Sequence, residues 1–121
     1  VMGMERDPGL VRLAKANARV NGLANLRFSC MDVVKGLSSL SHEINPVDTV
    51  VLDPPREGAK EVVQALARMK PDRIIYISCN PSTLSRDLAS LIQAGYKLRQ
   101  VRLFDMFPQT YHIESVSYLL R

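Results

Sequence analysis

Apolar residues along the chain follow two patterns, short continuous runs and residues that recur at helical spacing. The first pattern is typical of buried strands and the second of amphipathic helices. The two patterns take turns as far as Gly95, so the sequence predicts strands alternating with helices. The predicted strands cover 1–5, 26–30 and 73–78, and the run 49–56 begins as a parallel strand expected to be buried on both faces before its two prolines force a turn. The helices are marked by apolar residues from Leu10 to Ala18, from Val33 to Ile44 before Pro46, from Val62 to Met69 and from Leu84 to Leu91.

Residues with special backbone preferences mark the ends of these helices. The first helix is predicted over 7–21, with Asp7 as its N-cap, Pro8 at its first position and Gly22 as its stop. Asn80 and Pro81 repeat the same arrangement at the start of the fourth helix. The face of the first helix that we expect to be buried carries Leu10, Leu13, Ala14 and Ala18.

The last two β-rich runs, 97–104 and 115–120, have no helix between them, so they predict an antiparallel hairpin. Together with the preceding alternation, they predict an α/β fold with a doubly wound sheet and right-handed crossovers. In such sheets ligands bind at the carboxyl ends of the parallel strands. We therefore expect the functional residues directly after each strand.

Composition narrows the class of protein. The 121 residues are 46% hydrophobic and 23% charged, which is typical of one globular domain. Sixteen Lys and Arg against twelve Asp and Glu suit a polyanionic partner without requiring one. No apolar run approaches the roughly 20 residues of a membrane span. Cys30 and Cys79 form no disulfide framework or metal motif, which favours the cytoplasm and argues against a metal site.

Acidic residues follow three of the predicted strands. Glu5 lies where nucleotide-binding sheets place an acid that accepts hydrogen bonds from ribose hydroxyls, although a solvated charge is the ordinary alternative. Asp32 could accept a hydrogen bond from an amine or amide of the same ligand, but taken by itself it is more typical of a helix N-cap. Asp53 opens the D-P-P-R segment, in which Pro54 and its neighbour fix the carboxylate at the strand end. Arg56 is either a phosphate or substrate contact or a surface arginine.

Cys79 lies between a strand and a well-capped helix. The positive end of a helix dipole stabilises a thiolate, so the position suits a reactive cysteine. Cys30 has no comparable helix signal and is expected to be an ordinary buried cysteine. The loop that joins the last two strands carries His112 and Glu114, and either is a candidate base near Cys79. Histidine titrates near neutrality, whereas a glutamate base needs partial desolvation.

Five motifs resemble, in combination, the catalytic domain of the RNA 5-methyluridine (uracil-C5) methyltransferases. They are V-x-G-x-E, A-x-x-N-A-x-x-N-G-L, L-D-P-P-R, S-C-N-P-x-T-L-x-R-D and D-M-F-P-x-T-x-H-x-E-S, and they span nearly the whole chain. The resemblance implies a Rossmann-like sheet, S-adenosyl-L-methionine as cofactor and RNA as substrate. Within the family, D-M-F-P and H-I-E-S look more like the enzymes of 23S ribosomal RNA than those of transfer RNA.

The resemblance also implies residue roles. Cys79 would be the nucleophile and Glu114 the base, with His112 in support. Glu5, Asp32 and Asp53 would line the cofactor pocket, while Pro54, Arg56, Asn80 and Pro81 would support the site. Basic residues would guide the RNA, and the candidates are Arg73, Arg86, Lys97, Arg99 and Arg102.

The family's first strand and its glycine-rich loop have no counterpart here, because the six glycines form no G-x-G. We therefore expect residues 1–121 to be a partial catalytic domain that starts at the second strand, with the N-terminal part of its parent missing. Because the missing strand is central, its absence would leave exposed strand edges that favour self-association. We also expect residues 1–121 alone to bind the cofactor weakly and to have little activity. The alternatives are a transfer RNA enzyme, an amino-methyltransferase of the acid-Pro-Pro type, and a non-catalytic RNA-interaction fragment.

Overall fold

A computed structural model of the chain describes residues 1–43 and 47–121. The predicted end of the second helix, at Ile44 and Pro46, lies outside the described residues. The chain divides into two compact units, one formed by Val1–Glu43 and the other by the residues that follow. Each unit has its own sheet.

The first unit contains two strands and two helices in alternation. Its elements are β1 (Met2–Glu5), α1 (Pro8–Val20), β2 (Arg27–Cys30) and α2 (Val33–Glu43). The strands pair in parallel, from Met2 opposite Arg27 to Glu5 opposite Cys30. Gly3 allows the ring of Phe28 to lie close to the backbone, since a Cβ at this position would be 2.7 Å from Cδ1 of that ring.

The predicted ends of α1 are confirmed. The side chain of Asp7 accepts hydrogen bonds from the backbone N–H groups of Gly9 and Leu10. Pro8 begins the helix, and Gly22 follows its end with a φ of +65°.

The expected buried face of α1 is partly wrong. Val11 and Ala18 are buried, but Leu10 is 54% exposed and Leu13 is also exposed. The sheet of this unit has only two strands, so it covers a narrower stripe of the helix than a wide sheet would.

The second unit begins with β3 (Thr49–Leu52), α3 (Lys60–Met69) and β4 (Arg73–Ser78). It continues with α4 (Pro81–Gln93), β5 (Lys97–Phe104) and β6 (Glu114–Leu120). The strand order is β3-β4-β6-β5, in which β3 is parallel to β4. The strand β6 is antiparallel to both β4 and β5, so the predicted hairpin is confirmed.

The core of the second unit is formed by alternate residues of its two central strands together with apolar residues of both helices. The hydroxyl of Tyr96 donates a 2.7 Å hydrogen bond to the carbonyl of Pro71, and burial raises the pKa of this tyrosine. The buried side chains of the core include Ile74, Tyr76, Ser117 and Leu119 from the strands and Val63, Leu66, Leu88 and Leu91 from the helices.

Two expectations about burial are wrong. The strand that opens the run 49–56 was expected to be buried on both faces, but Val51 of β3 is 60% exposed. Among the described residues β3 pairs only with β4, so it is an edge strand. Cys30 is exposed rather than buried, because it is the last residue of an edge strand.

Candidate active site

The carboxyl ends of β3, β4 and β5 lie at one edge of the second unit's sheet, where β6 begins. This edge is called the rim below. The parallel register pairs Leu52 with Tyr76, so Asp53 follows β3 beside the end of β4. The side chain of Asp53 is exposed. The rim also carries Cys79, after β4, and Glu114, the first residue of β6.

Cys79 and Glu114 flank the last residue pair of the β4–β6 ladder. The last pair of the β4–β6 ladder is Ser78 with Ser115, and the buried hydroxyl of Ser115 donates to the carbonyl of Ser78 at 3.1 Å. Cys79 follows Ser78 at the end of β4, and Glu114 precedes Ser115 at the start of β6, so both residues lie next to this pair at the rim. Both residues are half-exposed, so a ligand can reach them.

The turn that carries Cys79 is held on both sides. The hydroxyl of Ser78 accepts from the backbone N–H of Asn80 and donates to its carbonyl, both at 3.1 Å. Oδ1 of Asn80 accepts from the N–H of Ser82 at 3.0 Å, and Pro81 is the first residue of α4. The predicted cap is therefore confirmed, and Cys79 precedes the positive end of the α4 dipole.

The D-P-P-R segment is tied to this turn through its backbone. The carbonyl of Arg56 accepts from Nδ2 of Asn80 at 3.1 Å and from the hydroxyl of Thr83 at 3.0 Å. Pro54 is half-buried, and Gly58 turns the chain with a φ of +80°. The loop that follows Asp53 and the turn that carries Cys79 are thus one hydrogen-bonded assembly.

Asp87 is a residue of this assembly that the sequence reasoning missed. Its side chain is only 1% exposed. Its carboxylate accepts from the N–H of Ala59 at 2.7 Å, from the hydroxyl of Tyr76 at 2.6 Å and from Nε of Arg86 at 2.9 Å. Arg86 also donates to the carbonyl of Glu57 at 3.0 Å. The sequence signal that could have identified it is the position of a charged residue, next to Leu88, on the apolar face of α4.

Arg56 and His112 meet at the rim. Nη2 of Arg56 lies 3.4 Å from Nδ1 of His112. The ring of His112 is 4.2 Å from that of Tyr111 and meets the ring of Phe107 edge-on at 6.2 Å. The D-P-P-R loop and the β5–β6 loop are therefore in contact through the guanidinium of Arg56 and the imidazole of His112.

Glu5 and Asp32 belong to the first unit, at the carboxyl end of its sheet. Oε1 of Glu5 accepts from the N–H of Asp7 at 2.7 Å. Oδ1 of Asp32 accepts from the N–H of Lys35 at 3.1 Å, as expected of an N-cap of α2. Each carboxylate therefore uses one oxygen locally at a strand end. Acids at this place can also accept hydrogen bonds from a nucleoside.

Over residues 1–43 and 47–121, no group of three or more acidic, histidine or cysteine side chains is arranged to hold a metal ion. No helix in this described part of the chain combines the length and apolar character that crossing a bilayer requires.

Comparison with known proteins identifies relatives over nearly the whole chain. A family model described as tRNA (Uracil-5-)-methyltransferase matches residues 10–121. The 23S rRNA (uracil(1939)-C(5))-methyltransferase RlmD of Shewanella denitrificans is 44% identical over 97% of this chain and 25% of its own length. An uncharacterized RNA methyltransferase of Thermotoga maritima is 43% identical over 100% of this chain and 27% of its own length.

A solved structure extends the similarity to the fold. The tRNA (uracil-54, C5)-methyltransferase of Pyrococcus abyssi, crystallised in complex with S-adenosyl-L-homocysteine, superimposes with a TM-score of 0.81. It is 32% identical, and the match covers 99% of this chain and 28% of that chain. The fold is thus the Rossmann-like fold of S-adenosylmethionine-dependent methyltransferases. The chain spans about a quarter of the length of these relatives and belongs to the tRNA (uracil-5-)-methyltransferase family.

Proposed function

We propose that this chain supplies the catalytic residues of an enzyme that methylates C5 of a uridine in RNA, with Cys79 as the nucleophile and Glu114 as the base. The observation that carries the proposal is the β4–β6 register, whose last pair, Ser78 with Ser115, is adjoined by Cys79 on one strand end and Glu114 on the other. Membership of the uracil-C5 methyltransferase family supports the reaction type.

Cys79 is needed because C5 of uracil is a weak nucleophile. The Cys79 thiolate adds to C6, and the electron pair of the C5–C6 double bond moves into an enolate that makes C5 nucleophilic. C5 then acquires the methyl group, which leaves a covalent adduct between Sγ of Cys79 and C6.

Glu114 completes the cycle. The carboxylate takes the proton from C5, the electron pair restores the C5–C6 double bond, and the Cys79 thiolate leaves from C6. The base must act on the ring that the thiolate holds, and the positions of Cys79 and Glu114 beside the same Ser78–Ser115 pair support this assignment. His112 is a weaker candidate for the base, because its Nδ1 lies beside the guanidinium of Arg56.

S-adenosyl-L-methionine is the cofactor we propose, and it supplies the methyl group as an electrophile when bound. Each unit offers acids of the kind that would hold it, Glu5 and Asp32 in the first unit and Asp53 in the second. Their chemistry fits, since carboxylates at strand ends accept hydrogen bonds from ribose hydroxyls and from amines. Asp53 is exposed at the rim, while Glu5 and Asp32 each engage one oxygen locally.

Ribosomal RNA is the substrate we favour over transfer RNA. Among the relatives, the Shewanella denitrificans protein is named for 23S rRNA and the Pyrococcus abyssi protein for tRNA. The first is more similar in sequence, at 44% against 32% identity. The free thiols of Cys30 and Cys79 suit a reducing cytoplasm.

We further propose that residues 1–121 alone bind the cofactor weakly and form little adduct. Within the described residues, β1 pairs only with β2 and β3 only with β4, so each leaves one hydrogen-bonding edge unpaired. Unpaired edges favour association with another strand, including one from a second copy of the chain.

Trapping of the adduct tests the mechanism. The protein translated from the complete reading frame is incubated with S-adenosyl-L-methionine and ribosomal RNA that contains 5-fluorouridine. Fluorine at C5 cannot leave as a proton does, so the adduct persists and migrates as a protein–RNA band under denaturing conditions. Cys79→Ala should abolish the band, whereas Cys30→Ala, the matched control, should leave it.

Two results would contradict the proposal. A band that survives Cys79→Ala would assign the nucleophile elsewhere. Methylation without any band would favour direct transfer to an exocyclic amine, as in the amino-methyltransferases, and the methylated nucleoside would identify that outcome. The same assay on residues 1–121 alone tests whether this part is inactive.

A further inference from the structure

We propose that Phe107, Tyr111 and His112 form a stacking platform for an unpaired base of the RNA next to the reacting uridine. These three residues are called the aromatic platform below. The inference rests on the proposed function in one respect, the choice of RNA as the substrate.

The aromatic platform is a cluster of three rings. The ring of His112 lies in the middle, 4.2 Å from the ring of Tyr111 at an interplanar angle of 39°. Phe107 meets His112 edge-on, at 6.2 Å and 74°. The edge-on separation of 6.2 Å lies within the range at which aromatic rings attract one another, and the rings of His112 and Tyr111 are in direct contact.

The outer part of the aromatic platform is strongly exposed. Tyr111 is 84% exposed, and Phe107 and the adjacent Met106 are also more than half exposed. Leaving apolar surface in water costs roughly 25 cal/mol per Å². Contiguous exposed apolar groups of this kind mark interaction sites more often than scattered ones do.

The loop that carries the rings is fixed by its own hydrogen bonds. The hydroxyl of Thr110 donates to the carbonyl of Phe107 at 2.7 Å and accepts from the N–H of His112 at 3.2 Å. Gln109 adopts a φ of +67°, which closes the turn. Because the loop is ordered before binding, stacking costs little conformational entropy.

Charge decides between a nucleic acid and an apolar protein segment as the occupant. The guanidinium of Arg56 lies 3.4 Å from Nδ1 of His112. Arg99 and Arg102 are exposed on β5, the strand that leads into the loop. Stacking rings beside cations bind single-stranded nucleic acid, because the rings take the bases and the cations take the phosphates.

Position along the chain decides which base is bound. Glu114 is only two residues beyond His112, so the aromatic platform adjoins the catalytic pair. A target base must be unpaired to reach Cys79, and a flanking base that stacks on Tyr111 would hold the strand open. Tyr111 is then a substrate-positioning residue.

RNA-binding measurements test the proposal. The probe is a fluorescent single-stranded oligouridine of about ten nucleotides, a length within the range that aromatic platforms bind. Fluorescence anisotropy gives the Kd for the protein translated from the complete reading frame and for its variants. Tyr111→Ala should raise the Kd about tenfold, whereas Tyr111→Phe, which keeps the ring, should change it less than about twofold.

A second probe separates stacking from charge. An oligomer of the same length with abasic sites keeps the phosphates and removes the bases, so Tyr111→Ala should leave its Kd unchanged. Equal loss of affinity for both oligomers would overturn the proposal. A changed sedimentation coefficient with an unchanged Kd would also overturn it and would assign the rings to a protein contact.

The proposal and the catalytic mechanism fail in different ways. If Tyr111→Ala binds oligouridine normally while Cys79 still forms the adduct, only the aromatic platform is refuted. If Tyr111→Ala weakens binding but Cys79 forms no adduct, only the covalent mechanism is refuted.

Discussion

The hydroxyl of Tyr76 donates a 2.6 Å hydrogen bond to Oδ2 of Asp87, and both side chains are buried. Desolvation raises the pKa of Tyr76, and the adjacent carboxylate raises it further. The carboxylate of Asp87 accepts from three donors: the Tyr76 hydroxyl in β4, the N–H group of Ala59 just before α3, and the Arg86 guanidinium in α4. A buried carboxylate stabilises the fold only while its hydrogen-bond donors remain in place, because an unpaired buried charge is costly.

Asp87→Ala should therefore destabilise the protein strongly. The substitution leaves the Tyr76 hydroxyl and the Ala59 N–H group buried without an acceptor, and we expect a loss of about 3–5 kcal/mol in the free energy of unfolding. Tyr76→Phe removes one donor only and should cost about 1–3 kcal/mol. Urea denaturation followed by circular dichroism gives both values. An Asp87→Ala protein no less stable than Tyr76→Phe would refute this account of the buried charge.

Alkaline pH should weaken the fold through Tyr76. A tyrosine whose pKa is raised by folding holds its proton more tightly in the native state, so its contribution is complete below its ordinary pKa of 10.0 and falls as the pH rises above it. Denaturation midpoints measured at about pH 8 and about pH 11 should differ less for Tyr76→Phe than for the parent protein. Tyr96→Phe should flatten the dependence in the same direction, since burial also raises the pKa of Tyr96. Identical pH dependence in all three proteins would contradict the prediction.

Glu114→Gln should stop the reaction after methylation. Without a carboxylate the C5 proton stays in place, so the adduct with Cys79 accumulates on ordinary uridine and turnover falls by about 10²–10⁴-fold. A denaturing gel of the complete protein with RNA and S-adenosyl-L-methionine detects the adduct. The Cys79→Ala, Glu114→Gln double variant is the control and should give none. His112→Gln should not accumulate adduct, and the opposite result would make His112 the base.

The two helix caps offer a matched pair of variants. Asp7 and Asn80 both cap a helix that begins with proline, but only Asn80 also donates to the carbonyl of Arg56. Asp7→Ala and Asn80→Ala should each cost about 1 kcal/mol as lost helix caps, but only Asn80→Ala also breaks a hydrogen bond to a segment outside its own helix. Hydrogen–deuterium exchange should rise at 8–11 for the first variant and at both 53–59 and 81–84 for the second. Unchanged exchange at 53–59 in Asn80→Ala would show that this tie is dispensable.

Local features of the fold could be predicted from the sequence, because their causes lie within a few residues. Asp7 and Asn80 cap their helices through bonds to the next turn, and the hairpin follows from two β-rich runs without a helix between them. The exposure of Leu10, Val51 and Cys30 was predicted wrongly, because it depends on how many strands each sheet contains.

The candidate site was only partly predictable for a related reason. The residues after the strands identified Cys79 and Asp53, and the loop before the last strand identified Glu114, but the closeness of Cys79 and Glu114 to one residue pair requires β6 to lie beside β4. Hydrophobic runs do not specify strand order. Asp87 was missed because a charged residue in a helix is ordinarily solvated, and its burial depends on donors that include Tyr76 and Ala59, which are distant in sequence.

The double hydrogen bond to the carbonyl of Arg56 has a consequence for protein engineering. Asn80 and Thr83 both donate to this one oxygen, so the cysteine turn takes its shape partly from residues distant in sequence. Grafting S-C-N-P alone onto another scaffold would omit the Arg56 carbonyl that holds the cysteine turn. The smallest transferable piece is two segments, 53–59 and 76–87, carried together.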